Sequence, residues 1–222
     1  MYEPTIYPSK YCIHVEGNIG VGKTTFLNVM REKFKDNAEI IEEPIHLWTS
    51  FRGTNLLDKM YMDPLKYSYP IQSYIQLTLA RNECRPSLKP IKIYERSLMS
   101  GRKVFTEAMK KLGYINQDEY NILDDWYEWL CSLRPNCNEI IYLKASPETA
   151  LTRLRHRGRK EEIKVNIDYL TLVHNLYEDW ISSIQQSDGA TVTVIDQERP
   201  IDNIFESANL IYSSLSSKLL TN

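Results

Sequence analysis

The sequence has only four cysteines among 222 residues, and none of them forms a CxxC pair or a His/Cys cluster with zinc spacing. This scarcity argues against a zinc domain or a disulfide framework and is typical of a reduced, intracellular protein. The chain also lacks any apolar run of membrane-spanning length, and residues 1–10 contain no secretion or organelle leader pattern. We therefore expect a cytoplasmic protein with no membrane partner, and a nuclear protein would show the same features.

An excess of charge of one sign is missing as well. The 27 Lys and Arg residues against 29 Asp and Glu residues leave a net charge of −2. The chain as a whole therefore has no general attraction to nucleic acid, and we expect no nucleic-acid partner. Hydrophobic residues make up 42% of the chain and no linker, repeat or low-complexity tract interrupts it, which predicts a single domain over residues 1–222.

Five short apolar runs predict β-strands, and helical patterns separate them. The runs are Tyr11–Val15, Glu39–Glu42, Ile91–Tyr94, Glu139–Leu143 and Thr191–Ile195. This alternation predicts an α/β fold with a five-stranded parallel sheet and helices on both faces. The predicted helices include Thr25–Phe34, Gln117–Leu133 and one that starts at Ser146-Pro147; Ser187-Asp188-Gly189 is typical of a turn.

Glycine is scarce too, with eight residues in all, yet three of them fall within one short segment. Residues 17–24 read Gly-Asn-Ile-Gly-Val-Gly-Lys-Thr and fit the P-loop pattern G-x-x-x-x-G-K-[ST]. Between a strand and a helix, such a loop points backbone N–H groups at phosphate oxygens, while Lys23 serves the β- and γ-phosphates and Thr24 serves Mg²⁺. We predict a nucleoside triphosphate site formed by Gly17, Asn18, Ile19, Gly20, Val21, Gly22, Lys23, Thr24 and Thr25.

Carboxylates follow the second and third predicted strands. Glu42-Glu43-Pro44 ends the second strand, and Glu95-Arg96-Ser97 ends the third. Ligands of an open parallel sheet gather beyond the carboxyl ends of its strands. Glu43 is therefore placed to take a proton from a substrate hydroxyl, Glu95 to hold Mg²⁺ and Arg96 to orient an acceptor. The alternatives are a solvated loop acid and an internal ion pair.

Four arginines alternate in the segment that follows the fourth strand's helix. They are Arg153, Arg155, Arg157 and Arg159. Phosphoryl transfer needs cations that neutralise the transferred group and exclude water, so this pattern favours an arginine-rich lid. The alternative is a solvated helix face.

The ordered set of motifs resembles the deoxyribonucleoside kinases, which include the insect multisubstrate enzyme and mitochondrial thymidine kinase. The resemblance is carried by Glu16–Thr25, Glu43-Pro44 with Trp48, and Glu95-Arg96-Ser97. Further matches are Asn55-Leu56-Leu57, Met60-Tyr61, Asp63-Pro64, Gln72-Ser73-Tyr74, Glu161-Glu162 and Tyr177–Trp180. The similarity covers about residues 11–197, which we expect to be the core of the domain.

The resemblance implies a P-loop kinase fold and transfer of the γ-phosphoryl of ATP, with Mg²⁺, to the 5′-hydroxyl of a deoxynucleoside, pyrimidines preferred. It implies a homodimer, and the aromatic helix around Trp126 and Trp129 is a candidate contact surface. The implied catalytic residues are Glu43 as general base, Arg96 and Lys23. The implied phosphate ligands beyond the loop are Arg155, Arg157 and Arg159, and the metal ligands are Thr24 and Glu95. The implied nucleoside-binding residues are Glu43, Trp48, Tyr61, Ile71, Gln72, Ile75, Leu79, Arg96, Gly101, Phe105 and Glu162.

Three positions depart from patterns within that family. Ile71 stands where the insect and mitochondrial enzymes have phenylalanine, and Leu79 and Gly101 stand where the deoxycytidine kinase branch has an Arg/Asp pair. These residues suggest an apolar, roomy pocket that suits a thymine methyl group. The first alternative function is a nucleoside monophosphate kinase of the thymidylate kinase type, although Glu42-Glu43 would repel an acceptor phosphate. The second is a nucleotide-binding switch, although the chain has no N-K-x-D motif.

Overall fold

The computed structural model describes residues 11–35, 37–186, 190–198 and 202–220, and the turn expected at residues 187–189 lies outside them. Its sheet consists of β1 (Tyr11–Glu16), β2 (Ala38–Ile41), β3 (Ile91–Glu95), β4 (Glu139–Lys144) and β5 (Thr191–Asp196). All neighbouring strands run parallel, in the order β2-β3-β1-β4-β5. The five-stranded parallel sheet predicted from the sequence is confirmed, with each strand end within two residues of its expected position.

Helices fill the connections between the strands. They are α1 (Lys23–Phe34), α2 (Ile45–Thr49), α3 (Leu56–Met62), α4 (Pro64–Cys84), α5 (Leu98–Ser100), α6 (Glu107–Lys111), α7 (Gln117–Leu133), α8 (Pro147–Arg157), α9 (Ile167–Gln185) and α10 (Asp202–Leu220). A π-helical segment, Gly101–Thr106, joins α5 to α6, and a 3₁₀ segment, Lys160–Lys164, joins α8 to α9. No helix in the described part of the chain combines the length and the apolar character that crossing a membrane requires.

Local capping explains where the longer helices begin. The Asn116 side chain accepts the backbone N–H of Glu119, whose carboxylate accepts the N–H of Asn116, so α7 starts with a capping box. Ser146 caps α8 and Pro147 occupies its first turn, as predicted. Helix α1 begins at Lys23, two residues earlier than expected, because the P-loop leads directly into it.

The two large apolar clusters of the core lie on opposite faces of the sheet, and a small third one consists of Cys12, Ile41 and Tyr94. Ile13 and Val15 of β1 belong to the cluster with α1, α8 and α10, whereas Ile140 and Tyr142 of β4 belong to the one with α4, α7 and α9. Strand β1 lies between β3 and β4, so the connections leave it in opposite directions. The carboxyl end of β1 is therefore the switch point at which such sheets bind ligands, and the P-loop follows it.

Candidate active site

The P-loop follows β1 in a conformation that requires glycine. Gly17 and Gly20 have φ angles of +143° and +87°. A Cβ atom would lie 2.5 Å from the Leu143 carbonyl oxygen at Gly17 and 2.4 Å from the Ala150 carbonyl oxygen at Gly20. Any side chain at either position would therefore collide with fixed backbone, which explains the glycine spacing of the motif.

Lys23 lies at the start of α1 with its ammonium inside the loop. Its Nζ donates to the carbonyl oxygens of Gly17 and Asn18, at 3.2 and 2.9 Å. Burial, together with repulsion from Arg96, lowers the pKa of Lys23 to about 7. The loop therefore holds a poorly solvated cation, which a phosphate group would stabilise.

Thr24 and Glu95 meet at the junction of α1 and β3. The Thr24 hydroxyl donates to Glu95 Oε1 at 2.9 Å, and Glu95 is 7% exposed. A hydroxyl and a carboxylate beside a phosphate loop fit Mg²⁺, which takes oxygen ligands and is bound in proteins through one or two carboxylates plus substrate phosphates. The residues present at this position therefore suit the expected ion.

Glu43 and Arg96 form a buried ion pair beyond the ends of β2 and β3. The Arg96 Nε atom lies 2.8 Å from Glu43 Oε1, and the two side chains are 6% and 11% exposed. Burial raises the pKa of Glu43 above that of an ordinary carboxyl group, although the Arg96 charge pulls it down. The charge of Arg96 therefore opposes the effect of burial and favours the ionised form of Glu43, which is the form that can accept a proton.

Arg96 is fixed by several contacts besides Glu43. Its Nη1 donates to the Gly17 carbonyl oxygen at 3.1 Å and to the Tyr177 hydroxyl at 2.7 Å. The guanidinium carbon lies 4.4 Å from the centre of the Phe105 ring. The backbone of Arg96 is left-handed, with φ +64°, an uncommon conformation for a residue other than glycine. Arg96 therefore ties the P-loop to the acceptor side of the cleft.

Two of the four alternating arginines face the cleft and share one carboxylate. Arg157 contacts Glu162 Oε2 through Nη2, and Arg159 Nη1 lies 3.5 Å from Glu162 Oε1. Glu162 is 6% exposed, whereas the arginine side chains are 35% and 38% exposed. The arginines are therefore accessible to a ligand, and the carboxylate anchors them.

The other two arginines of the segment bind backbone. Arg155, predicted to contact phosphate, instead donates to the carbonyl oxygens of Ile163 and Val165, and it is not among the residues that line the cleft. Arg153 donates to the Val21 carbonyl oxygen of the P-loop at 3.2 Å. These contacts fix the segment to its surroundings.

The far end of the cleft contains an oriented tryptophan and a buried amide. Trp48 Nε1 donates to Thr78 Oγ1 at 2.9 Å, which fixes the indole plane. Gln72 is 2% exposed, and its Oε1 lies 3.4 Å from the Thr106 hydroxyl, which also contacts the Gly101 carbonyl oxygen at 3.0 Å. The polar groups of this end are therefore few, and α4 and the π-helical segment hold them.

Leu79 and Gly101 line the far end of the cleft as predicted, whereas Ile71 does not. A Cβ atom at Gly101 would lie 3.2 Å from Leu79 Cδ1, so these two positions are in contact across the cleft wall. Ile71, predicted as a nucleoside contact, is completely buried in the core and does not line the cleft.

The structure brings most of the predicted residues together in one cleft. Predicted residues that line it are Ile19, Gly20, Lys23, Thr24, Glu43, Trp48, Tyr61, Gln72, Ile75, Leu79, Glu95, Arg96, Gly101, Phe105, Arg157, Arg159 and Glu162. Gly17, Asn18, Val21, Gly22 and Thr25 lie in or just after the P-loop without lining the cleft. Asn18 instead donates to the Leu170 carbonyl oxygen at 2.8 Å.

Sequence reasoning missed several contributors. Four further lining residues are Ile45, Leu57, Met60 and Tyr169. Tyr169 and Tyr177 lie eight residues apart on α9, so both fall on similar sides of that helix. The helical pattern of the sequence could have indicated these two residues, because tyrosines on the apolar face of an amphipathic helix bring hydroxyl groups into a buried region.

Comparison with known proteins gives one consistent result. The sequence profile of a family described as deoxynucleoside kinase matches residues 13–220. The mitochondrial thymidine kinase 2 of Homo sapiens is 34% identical over 202 residues, which cover 89% of this chain and 74% of that protein. A probable deoxycytidine kinase of fowlpox virus is 36% identical, over 77% of this chain and 71% of its own length. The deoxycytidine kinase of Mus musculus is 32% identical, over 76% and 74%.

Proposed function

This chain belongs to the deoxynucleoside kinase family and is therefore a phosphoryl-transferring enzyme; on that premise we propose that it moves the γ-phosphoryl group of ATP to the 5′-hydroxyl of a deoxynucleoside, pyrimidines preferred. The observation that carries the proposal is the position of the Glu43–Arg96 ion pair, whose arginine also contacts the P-loop carbonyl of Gly17. The guanidinium of Arg96 thus contacts both the proposed base, Glu43, and the phosphate-binding loop.

Glu43 is the general base in this proposal. It takes the proton of the 5′-hydroxyl as that oxygen attacks the γ-phosphorus, and the bond to the β-phosphate oxygen breaks. The raised pKa of Glu43 favours the transfer, because a base whose pKa lies closer to the operating pH accepts a proton more readily. Arg96 holds the carboxylate and places positive charge beside the attacking oxygen.

Cations on the phosphate side stabilise the charge of the transferred group. Lys23, Arg157 and Arg159 line the same cleft as Glu43, and we assign them to the phosphates of ATP. Arg157 and Arg159 then act as the lid expected from the sequence, whereas Arg153 and Arg155 hold the segment through backbone carbonyls. Thr24 and Glu95 would hold Mg²⁺, which when bound neutralises the β- and γ-phosphate oxygens.

The far end of the cleft suits a pyrimidine base. Gln72 offers a donor and an acceptor together, which match the N3 and exocyclic groups of thymine or cytosine. Trp48 and Phe105 provide flat apolar walls, and Tyr61 and Glu162 are assigned to the 3′-hydroxyl. The named substrates of the relatives, thymidine and deoxycytidine, agree with this assignment.

A panel of acceptors tests the proposed activity. The purified protein is supplied with ATP and Mg²⁺ and with thymidine, deoxycytidine, deoxyadenosine, deoxyguanosine or thymidine monophosphate, and products are separated by chromatography. We expect 5′-monophosphates of both pyrimidine nucleosides, with kcat/KM higher than for either purine nucleoside. Diphosphate from thymidine monophosphate alone would indicate a monophosphate kinase, and ATP hydrolysis without any transfer would indicate a nucleotide-binding switch.

We also propose that the enzyme is a homodimer paired through the outer faces of α4 and α7. Leu77, Trp126 and Trp129 are 45%, 50% and 56% exposed there. A second copy would remove these apolar side chains from water.

Sedimentation of a matched pair of variants tests the dimer. Leu77→Glu introduces a charge into this surface, whereas Leu88→Glu introduces the same charge at a residue that is 95% exposed outside it. We expect Leu77→Glu to sediment as a 26.1 kDa monomer at micromolar concentration, and wild type and Leu88→Glu at twice that mass. A monomeric wild type would contradict this part of the proposal without affecting the proposed activity.

A further inference from the structure

A second buried carboxylate, that of Glu16, is linked to Arg96 through the Tyr177 hydroxyl. Glu16, the last residue of β1, is completely buried. Its Oε1 accepts the Ser97 hydroxyl at 2.6 Å, and its Oε2 accepts the Tyr177 hydroxyl at 3.0 Å. Both donors flank Arg96, one as its chain neighbour and the other through space. Glu16 does not line the cleft, so the proposed reaction leaves it without a direct part.

The Tyr177 hydroxyl links this carboxylate to the arginine. It accepts Nη1–H of Arg96 at 2.7 Å and donates its own proton to Glu16. A phenolic hydroxyl can do both at once, whereas a methyl group or a carbonyl oxygen cannot. The result is a continuous chain from Glu43 through Arg96 and Tyr177 to Glu16.

The inner members of this chain, Arg96, Tyr177 and Glu16, depend on their partners because they are almost completely buried. Tyr177 and Glu16 are 0% exposed and Arg96 is 5% exposed. A buried guanidinium needs acceptors for its N–H groups, and a buried carboxylate needs donors or a nearby cation. Burial raises the pKa of Glu16 to about 7, although its hydrogen bond from Ser97 opposes the shift. The hydrogen bonds from Ser97 and Tyr177 therefore favour the ionised form of Glu16, which accepts both of them.

The backbone conformation of Arg96 explains why its side chain needs several contacts. Arg96 has a left-handed φ of +64°, and such a residue persists only when its surroundings over-determine it. Its side chain is held by Glu43 on one side and by the Gly17 carbonyl and Tyr177 on the other. Without the tyrosine hydroxyl, the guanidinium loses one of the contacts that oppose the attraction of Glu43.

We propose that Tyr177, held by Glu16, is a positioning residue that fixes Arg96 in the orientation in which it presents Glu43 to the acceptor hydroxyl. The inference rests on the proposed role of the Glu43–Arg96 pair. It predicts that Tyr177 acts on turnover and not on nucleoside affinity, since Tyr177 is not among the residues that line the cleft.

Tyr177→Phe is a mild test, because the ring can stay where it is. That ring stacks on Tyr142, with centroids 5.6 Å apart and planes at 20°. We expect kcat to fall roughly 10- to 100-fold, the range that a misplacement near 1 Å produces, while KM for thymidine stays within about twofold. Tyr142→Phe is the matched control. The Tyr142 hydroxyl also donates to a glutamate, Glu178 of α9, at 2.8 Å, but it does not contact Arg96, so its loss should leave kcat unchanged.

Glu16→Gln provides a second variant and completes a double-mutant cycle. It keeps the shape of the side chain and removes its charge, so we expect a similar fall in kcat. Because both residues act on Arg96 through one chain, the double variant Tyr177→Phe/Glu16→Gln should lose no more than the worse single variant. If Tyr177→Phe fails to fold, the kcat of Glu16→Gln alone decides the question.

Several results would overturn the inference. They are a kcat of Tyr177→Phe within twofold of wild type, an equal loss in Tyr142→Phe, a rise in thymidine KM with unchanged kcat, and additive losses in the double variant. A wild type that phosphorylates no deoxynucleoside would count against the proposed function instead, and the acceptor panel reveals that outcome before any variant is made.

Discussion

The phosphate end of the cleft is shaped by one continuous stretch of backbone, the P-loop, whereas the nucleoside end is shaped by side chains of separate helices. Gly17 and Gly20 shape the first end by conformations that other residues cannot adopt there. Trp48 of α2 and Gln72 of α4 shape the second, and each is held by a hydroxyl of its surroundings. The first end is therefore constrained by backbone geometry, and the second is adjustable through side-chain identity.

The two ends meet at Glu43, and the largest effect is expected there. Glu43→Gln removes the base while keeping the shape of the side chain, so kcat should fall about 10²- to 10⁴-fold with nucleoside binding largely retained. The neighbouring Glu42→Gln is the control, because Glu42 is more than half exposed and its only ion pair described by the structure is with Arg31 on the surface. Steady-state kinetics and calorimetric binding of thymidine give both quantities; Glu43→Gln turnover within twofold of wild type would remove Glu43 from the mechanism.

Two glycine-to-alanine substitutions compare the ends directly. Gly20→Ala places a methyl group 2.4 Å from the Ala150 carbonyl oxygen at a φ of +87°, so the loop must move, and we expect about a 10²-fold loss of kcat/KM for ATP. Gly101 has an ordinary helical backbone, and the methyl group of Gly101→Ala would lie 3.2 Å from the flexible end of Leu79 and 3.8 Å from a methyl group of Ile75. We expect the activity of Gly101→Ala to stay within a few-fold of wild type. Equal losses in the two variants would erase the contrast drawn between the ends.

The adjustable end should also accept a change of selectivity. Leu79→Arg combined with Gly101→Asp inserts a charged pair where two apolar neighbours now touch, and should reverse or flatten a preference for thymidine over purine deoxynucleosides. A buried polar group without its partner costs about 1–3 kcal/mol, so the ratio of kcat/KM values should shift roughly ten- to a hundredfold. The acceptor panel on wild type and a folded double variant measures that ratio. An unchanged ratio would show that these positions do not set selectivity.

The smallest expected effects are those of pH. The phosphate end should lose affinity for ATP as pH rises, whereas the acceptor end should lose activity as pH falls. On the phosphate side, the pKa of Lys23 is lowered to about 7, so the free enzyme loses that charge as pH rises and KM for ATP should increase about fivefold between pH 7 and 8. On the acceptor side, burial raises the pKa of Glu43, so kcat/KM for thymidine should fall on the acid side, above the pH at which an ordinary carboxyl titrates. ATP affinity that stays constant up to pH 9 would contradict the assignment for Lys23.

The sequence was most informative where local chemistry decides the structure. The strands were predicted within two residues because apolar runs between polar segments are a local signal, and α7 was predicted over its observed range, Gln117–Leu133, where a capping box marks its start. The P-loop could be predicted as a unit for the same reason, since its residues are contiguous and its glycines are set by the backbone.

What could not be predicted depends on contacts between distant segments. The Tyr177 hydroxyl contacts Arg96 although the two residues are 81 positions apart in the sequence, and no residue spacing predicts that contact. The family resemblance assigns Ile71 to the cleft, but its side chain is completely buried in the apolar core and does not line the cleft. The cytoplasmic location and the single domain stay predictions.

Helix α4 serves two sides of the molecule at once. Its inner face gives Gln72, Ile75 and Leu79 to the nucleoside end, while Leu77, which is 45% exposed, lies on the outer surface where we propose that a second copy binds. A small rotation of this one helix would therefore move both faces together. In the proposed dimer, substitutions on the outer face of α4 would then change substrate selectivity without touching the nucleoside.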